Sequence, residues 1–250
     1  MSARQVTSCG WLATLSAMSE VPLQVEMEQL MLRYPTGKVA VSGISLDIAK
    51  GQFVYLIGES GAGKSSLMRM LYGGVRPSSG VLKVEQIDMR SAAASRVRQL
   101  RRRIGVIFQD HKLLFSRTVF ENVALPLRVQ GWKRDRLVPR VQKVLEFVGL
   151  GDRLWSYPET LSGGEQQRVA IARAMSANPP MILADEPTGN LDIDTAHRVL
   201  DYLMGLNALG TTVIMATHDL QLLESYPGRV IQLHHGGLAS DSHAGRRHVG

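Results

Sequence analysis

A glycine-rich loop with one lysine and several hydroxyl side chains is the stretch of this sequence best equipped for chemistry. It follows an apolar run, Phe53 to Ile57, which reads as a buried parallel strand, and an apolar helix starts at its end. Glycines let successive backbone N–H groups turn toward phosphate oxygens, and a helix N-terminus adds positive potential there. The spacing and the strand–loop–helix context fit the P-loop pattern. The residues predicted to cradle phosphates are Gly58, Glu59, Ser60, Gly61, Ala62, Gly63, Lys64, Ser65 and Ser66.

Two side chains of this loop and two later carboxylates have predicted tasks. Lys64 is placed to reach the β- and γ-phosphates of a nucleotide, and the Ser65 hydroxyl to ligate Mg²⁺. Asp185 and Glu186 end a second apolar strand. Asp185 is predicted to be a further oxygen ligand of Mg²⁺, and Glu186 to polarise an attacking water. The alternative is a helix-capping pair, but the apolar residues before the pair and the proline after it favour the catalytic interpretation.

A second potential anion site follows about a hundred residues after the first. Its sequence is Leu161-Ser162-Gly163-Gly164-Glu165-Gln166-Gln167-Arg168. A serine and two glycines open a helix there, and the free N–H groups of a helix start bind anions. Because the chain already has one phosphate cradle, this segment indicates a second phosphate-binding role.

Apolar periodicity places these motifs in an α/β arrangement. Residues 23–235 are expected to form one domain, with a helical subdomain over about 110–178, where the pattern is helical throughout. Residues 1–22 are expected to be a flexible extension and residues 236–250 a flexible tail. Strands are expected at Val25 to Leu32, Val39–Val41, Ile44–Ile48, Phe53 to Ile57, Gly80–Val84, Ile104–Phe108, Met181–Asp185, Thr212–Thr217 and, as a last edge strand, Arg229–Leu233.

Composition and charge constrain the function more loosely. The chain has 250 residues, 44% of them hydrophobic, which suits one large α/β domain. No apolar run approaches the roughly 20 residues of a membrane span. The single cysteine, Cys9, rules out an intrachain disulfide and fits a reducing compartment. A net charge of +7 is consistent with a protein that binds nucleic acid or an anionic membrane, and equally with one that is simply basic. Five arginines in Ser91–Arg103 indicate either an anion contact or a solvated helical face.

Taken in order, the motifs resemble those of the ATP-binding-cassette (ABC) ATPases. The resemblance implies an α/β P-loop NTPase fold, an ABC ATPase-type core with a mixed sheet, an antiparallel β edge and a helical subdomain. It also implies hydrolysis of ATP to ADP and phosphate, with ATP and Mg²⁺ as cofactors. The matching set covers about residues 25–235 and consists of the P-loop, Gln109, the Leu161–Arg168 signature, Asp185-Glu186, Gly189-Asn190-Leu191-Asp192 and His218.

The same resemblance implies that two copies of the chain assemble head to tail. Each ATP would lie between one P-loop and the signature of the partner subunit, where Ser162, Gly163 and Gly164 would hold the γ-phosphate. Asp192 would cross the dimer interface.

The resemblance also assigns roles to three side chains around the P-loop. Gln109 would touch Mg²⁺ or the attacking water, and His218 would contact the γ-phosphate. Tyr34 would stack on the adenine, a contact worth about 1–3 kcal/mol in nucleic-acid complexes. An ordinary turn tyrosine is the alternative for that position.

Within this family, the sequence most closely resembles one branch, the FtsE proteins of bacterial cell division. The implication is a peripheral protein on the cytoplasmic face of the inner membrane, at the division septum, with an FtsX-like membrane partner and contact with FtsZ. ATP turnover would then control cell-wall hydrolases instead of driving transport. The segment that carries this resemblance is Gln109-Asp110-His111-Lys112-Leu113-Leu114 followed by Arg117-Thr118-Val119-Phe120-Glu121-Asn122-Val123-Ala124-Leu125-Pro126-Leu127.

Three alternatives remain at this point. The motif from Glu186 to Asp192 is shared with the ATPases of lipoprotein-release and macrolide-efflux systems, which have the same chemistry and other partners. An ABC protein acting on nucleic acid would suit the basic charge, but the chain has neither a second cassette nor a long coiled-coil insertion, so no nucleic acid is expected. A catalytically silent scaffold is disfavoured by the intact Lys64, Glu186 and His218.

Overall fold

The computed structural model describes residues 22–189 and 191–243 of the chain. The predicted N-terminal extension therefore lies outside the described residues, except for Pro22. The same is true of residues 244–250 of the predicted tail and of Asn190 in the motif that precedes Asp192.

A six-stranded sheet carries the motifs. Its strand order is β10-β9-β3-β8-β7-β6, in which all neighbours are parallel except the antiparallel pair β9 and β10. Both faces of its central strands are covered, which explains why their sequences are nearly continuous apolar runs. The strands are β3 (Phe53–Ile57), β6 (Ile104–Ile107), β7 (Met181–Asp185), β8 (Thr212–Ala216), β9 (Arg229–His234) and β10 (Gly237–Asp241).

A second, antiparallel sheet packs against one face of the first, with strand order β2-β1-β4-β5. Residues 39–49 form one long strand in place of the two short strands predicted. Gly43, with φ of +69°, lets the backbone continue where an interruption was expected. The strands of this sheet are β1 (Leu23–Arg33), β2 (Val39–Ala49), β4 (Ser79–Val84) and β5 (Ile87–Asp88).

Every regular element between residues 110 and 178 is helical, as the sequence predicts. A capping box formed by Thr118 and Glu121 starts α3. The arginine-rich helix before β6 is shorter than the Ser91–Arg103 segment that was predicted as helical. The helices are α1 (Lys64–Leu71), α2 (Ala94–Arg101), α3 (Val119–Val129), α4 (Arg134–Phe147), α5 (Gly163–Met175), α6 (Ile193–Ala208) and α7 (Gln221–Ser225), with a 3₁₀ turn at Pro158–Thr160.

Alternate residues of the central strands enter two different cores. On β3, Phe53 and Tyr55 pack with α3, α4, α5 and α6, whereas Val54 and Leu56 pack with α1 and the antiparallel sheet. This period of two is the expected consequence of strand geometry. The P-loop strand is therefore held from both sides. Among the described residues, no helix is long and apolar enough to cross a bilayer.

The prediction that the chain frays from residue 236 is wrong for residues 237–241, which form β10. Arg229–Leu233 is consequently not an edge strand, because β10 lies outside it. Arg229 and Asp241 form an ion pair at 2.7 Å, and both side chains are more than nine-tenths buried. A glycine-rich turn and a polar strand concealed this hairpin from the apolar pattern.

We predict that Asp241→Asn lowers the free energy of unfolding by about 3 kcal/mol, since it leaves the buried Arg229 guanidinium without its charge partner. Arg229 lowers the pKa of Asp241. The stabilisation is therefore complete above the ordinary aspartate pKa and is lost as pH falls through the lowered pKa. Urea unfolding at pH 7 and at acidic pH measures both effects.

The matched control is Ser240→Ala, an exposed change on the same strand that should alter stability by less than about 0.5 kcal/mol. A loss below about 1 kcal/mol for Asp241→Asn would show that the ion pair with Arg229 does not stabilise the fold.

Candidate functional site

Four loops that carry predicted site residues leave the same edge of the six-stranded sheet. Strands β3, β8, β7 and β6 are parallel neighbours, paired through Leu56 with Ala216, Asp185 with Ala216 and Ile107 with Ala184. Their carboxyl ends therefore align, and ligands of α/β sheets bind at such an edge. The P-loop, His218, Asp185-Glu186 and Gln109 follow these strands in that spatial order.

The P-loop has the backbone shape that its glycines predict. Gly58 has φ of +148° and Gly63 has φ of +106°. A Cβ at Gly58 would collide with the carbonyl oxygen of Leu233, and one at Gly63 with that of Ala40. The loop is thus enclosed by backbone of β9 and β2. The turn after β9 adds a hydrogen bond, 3.1 Å from the Gly236 nitrogen to the Ala62 oxygen.

Lys64 points its ammonium group into the loop. The side chain is 6% exposed, and Nζ donates to the carbonyl oxygens of Gly58 at 2.6 Å and Glu59 at 3.1 Å. No carboxylate forms an ion pair with it in the described part of the chain. Carbonyl oxygens hold the cation in place without neutralising it, so its charge remains available to an anionic group.

The hydroxyl oxygen of Ser65 and a carboxylate oxygen of Asp185 lie next to each other. The Ser65 hydroxyl donates to Asp185 Oδ1 at 3.3 Å. Burial raises the pKa of Asp185, and the nearby Glu186 charge adds to the increase, while Ser65 and Lys64 oppose it. A desolvated carboxylate is stabilised by a cation. These two oxygens suit Mg²⁺, which needs only one or two protein ligands when phosphates and water complete its shell. No group of three or more acidic, histidine or cysteine side chains suited to a metal occurs among the described residues.

The Glu186 carboxylate is the point where Gln109 and His218 meet. Gln109 Nε2 donates to Glu186 Oε2 at 3.1 Å, and His218 Nδ1 lies 3.4 Å from Oε1. The glutamate has φ of +49°, a conformation that costs a non-glycine residue about 1–3 kcal/mol. Such strain at an acidic residue in a cleft is characteristic of functional sites.

Residues of the P-loop, together with Gln109 and Glu186, border a cleft of about 280 Å³. Tyr34 forms part of its wall, and its hydroxyl lies 3.3 Å from Ser66 Oγ. The sequence interpretation missed Lys38 and Ala40, which also border the cleft. Lys38 follows the turn after Tyr34 and Ala40 lies at the start of β2, and this closeness to Tyr34 was the only available signal.

The residues predicted to serve a second phosphate-binding site are not brought to this cleft. Ser162 is the exposed N-cap of α5, and its hydroxyl is engaged with Glu165 in a capping box. Asp192 is the exposed N-cap of α6 and accepts hydrogen bonds from Thr195. In the described part of the chain, neither forms a hydrogen bond or ion pair with the groups around the P-loop. The two caps are neighbours, because Gly164 packs against Thr195.

Comparison with known proteins shows which family the chain resembles. The family model described as ABC transporter matches residues 41–189. The FtsE cell-division ATP-binding protein of Bacillus subtilis is 43% identical over 221 residues, 88% of this chain and 97% of that protein. The FtsE protein of Mycobacterium tuberculosis is 43% identical over 89% of this chain and 97% of its own length. The methionine import protein MetN of Carboxydothermus hydrogenoformans is also 43% identical, but only 65% of it is covered.

Solved structures confirm the fold class. The dimeric ABC transporter cassette MJ0796 superposes with a TM-score of 0.81 at 33% identity, over 87% of this chain and 97% of that one. A post-hydrolysis form of the same cassette contains ADP and phosphate. The predicted ABC ATPase-type core is therefore confirmed.

We predict that Lys64→Ala weakens binding of a fluorescent ATP analogue by about 100-fold, because charged hydrogen bonds to phosphate are each worth about 1.5–3 kcal/mol. Lys50→Ala, which removes an exposed lysine from a turn, is the matched control and should bind normally. If Lys64→Ala melts like the wild type and binds within threefold of it, the loop does not use this ammonium group.

Proposed function

The chain belongs to the ABC transporter family and is one of its ATPases, and on that premise we propose that it powers an FtsEX-like membrane complex in cell division. ATP turnover by this subunit would switch an FtsX-like partner and thereby control septal cell-wall hydrolases. Similarity to FtsE proteins over nearly their full length carries the proposal. By contrast, about a third of the methionine-import relative has no counterpart here.

The geometry of the cleft supports hydrolysis by positioning and charge stabilisation, which dominate phosphoryl transfer. In the proposal, Lys64 and the P-loop amides bind the phosphates, and Tyr34 stacks on the adenine. Ser65 and Asp185 would hold Mg²⁺, which would supply further positive charge there. Glu186 accepts the proton of the attacking water.

Two neighbouring side chains complete the proposed catalytic arrangement. Gln109 and His218 keep the Glu186 carboxylate aimed at the water, which fits their distances of 3.1 and 3.4 Å from its two oxygens. In the proposal Gln109 also touches Mg²⁺ or the water, and His218 touches the γ-phosphate.

The separation of the two phosphate-binding motifs supports a head-to-tail homodimer. The signature residues Ser162 and Gly163 are exposed and make no polar contact with the cleft of their own subunit. A helix start with free N–H groups can instead bind the γ-phosphate held by a second copy. Asp192 lies beside this start through the Gly164–Thr195 contact, which suits its proposed place at the interface. Hydrolysis would then remove the group that joins the two halves.

Exposed apolar side chains in the segment that follows Gln109 support docking of a membrane partner. Leu114, Phe115, Leu125 and Val129 are each 38–52% exposed, although they are large apolar side chains. Leu125 and Val129 border a groove of about 430 Å³ whose rim includes arginines of α2. We propose that a short cytoplasmic helix of the FtsX-like partner docks there. The septal position and the contact with FtsZ belong to the same proposal.

Glu186→Gln tests the chemical part of the proposal. It removes the proposed base and should lower ATP turnover by about 10²–10⁴-fold, because general base catalysis contributes that much. ATP binding should persist, so an ATP-bound dimer accumulates. Light scattering after gel filtration, with and without the detergent-solubilised membrane partner, measures the mass of the assembly and so detects the dimer. Glu224→Gln, an exposed change on α7, should hydrolyse normally. A Glu186→Gln variant that stays monomeric with ATP, in both preparations, contradicts the dimer.

The division role is tested in cells that contain only a tagged copy of the chain. Recruitment of the wild type to midcell, filamentation with Lys64→Ala, and co-purification of an FtsX-like protein are expected. Uniform membrane staining with normal division contradicts the division role. It would instead favour the lipoprotein-release or macrolide-efflux assignment, in which a different membrane protein co-purifies.

A further inference from the structure

Gln167 links the signature helix to the residue next to Glu186. It lies in the second turn of α5, is 1% exposed, and donates a hydrogen bond from Nε2 to the carbonyl oxygen of Pro187. No step described above uses this side chain. In the described part of the chain this is its one side-chain hydrogen bond, and it ends on the peptide unit between Pro187 and Thr188, one residue beyond the proposed catalytic base.

That peptide unit belongs to a strained turn. Glu186 has φ of +49°, and the turn is closed by a hydrogen bond of 3.1 Å from the Gly189 nitrogen to the Glu186 oxygen. On the strand side, the Glu186 nitrogen donates to the Ala216 oxygen at 2.9 Å. A sparsely populated conformation persists only when surrounding contacts enforce it. Gln167 supplies such a contact from α5, on a carbonyl group that neither of those two bonds reaches.

We propose that Gln167 is a positioning residue for ATP hydrolysis. By holding the Pro187 carbonyl, it keeps the turn in the conformation that directs the Glu186 carboxylate between Gln109 and His218. The inference rests on the proposed role of Glu186 as the base. It adds a residue that touches neither nucleotide nor water and acts through Glu186.

If Gln167 had only a structural role, its replacement would lower stability and leave the kcat of the folded enzyme unchanged. Among the described residues its Oε1 atom is buried without a hydrogen-bond partner. An apolar side chain of similar length removes this unsatisfied acceptor but leaves the buried Pro187 carbonyl without its donor, so the two effects on stability oppose each other and the net change should be small. The same change removes the hydrogen bond to Pro187. The free energy of unfolding should therefore change little while kcat falls.

The experiment measures kcat, KM for ATP and the free energy of unfolding for Gln167→Met in the full chain, assayed with its membrane partner where turnover requires one. The expected result is a kcat lower by about ten- to a hundredfold, since small misplacements of a catalytic group have effects of that size. KM should stay within twofold, and the free energy of unfolding should change little. In a Glu186→Gln background, Gln167→Met should produce no further loss, because both changes disable one group.

Gln24→Met is the matched control. Gln24 is also 1% exposed, and within the described residues its Oε1 is likewise buried without a partner. Its Nε2 donates to Glu85, in the turn between β4 and β5 of the antiparallel sheet. Its kcat should be that of the wild type. Gln167→Leu removes the same hydrogen bond with a side chain of different shape, so a loss of kcat in both variants is not a packing defect specific to methionine.

The outcomes separate the two levels of the argument. Wild-type kcat in both Gln167 variants, or an equal loss in the Glu186→Gln background, overturns the positioning role and leaves Glu186 untouched. A Glu186→Gln enzyme with normal turnover overturns the base assignment itself, whatever Gln167 does.

Discussion

Backbone hydrogen bonding in register between the parallel strands β3, β8, β7 and β6 is the constraint on which the site depends. Each strand contributes one loop, and parallel pairing sends all four loops out of the same edge. A shift of one residue in any pair would move the loop of one strand along the strand axis, away from the other loops. It would also turn that strand's side chains to the other face of the sheet. Burial of both faces makes such a shift costly, because alternate residues of each strand fill two different cores.

The P-loop is further confined by groups from distant parts of the sequence. Ala40 of β2, Leu233 of β9 and the turn at Gly236 all place backbone atoms against it. This enclosure explains why glycine is needed at positions 58 and 63, and why the antiparallel sheet and the final hairpin belong to the same domain as the loop. A loop held in advance loses little entropy when it binds phosphate.

Much of this arrangement could be predicted from local patterns. The strand before the P-loop, the strand before Asp185 and the helical region 110–178 each have a strong apolar period or an uninterrupted apolar run. The prediction failed where pairing partners mattered more than local pattern. β10 is largely polar and starts at the second of two glycines, yet it forms because β9 offers an open edge and because Arg229 needs a buried carboxylate. The long β2 was divided in the prediction because Gly43 reads as a break.

By itself, the sequence determined the local motifs: which residues form the glycine-rich loop, which carboxylates follow a buried strand, and which segment opens a helix with a serine and two glycines. Residue type and short spacing are enough for these, since each motif is local. Only the tertiary structure decided that Gln109 and His218 meet on Glu186, and that Gln167 holds the turn beside it. It also showed that the signature residues make no polar contact with the cleft of their own chain. Those relations join residues far apart in sequence, and packing of the sheet and helices sets their distances.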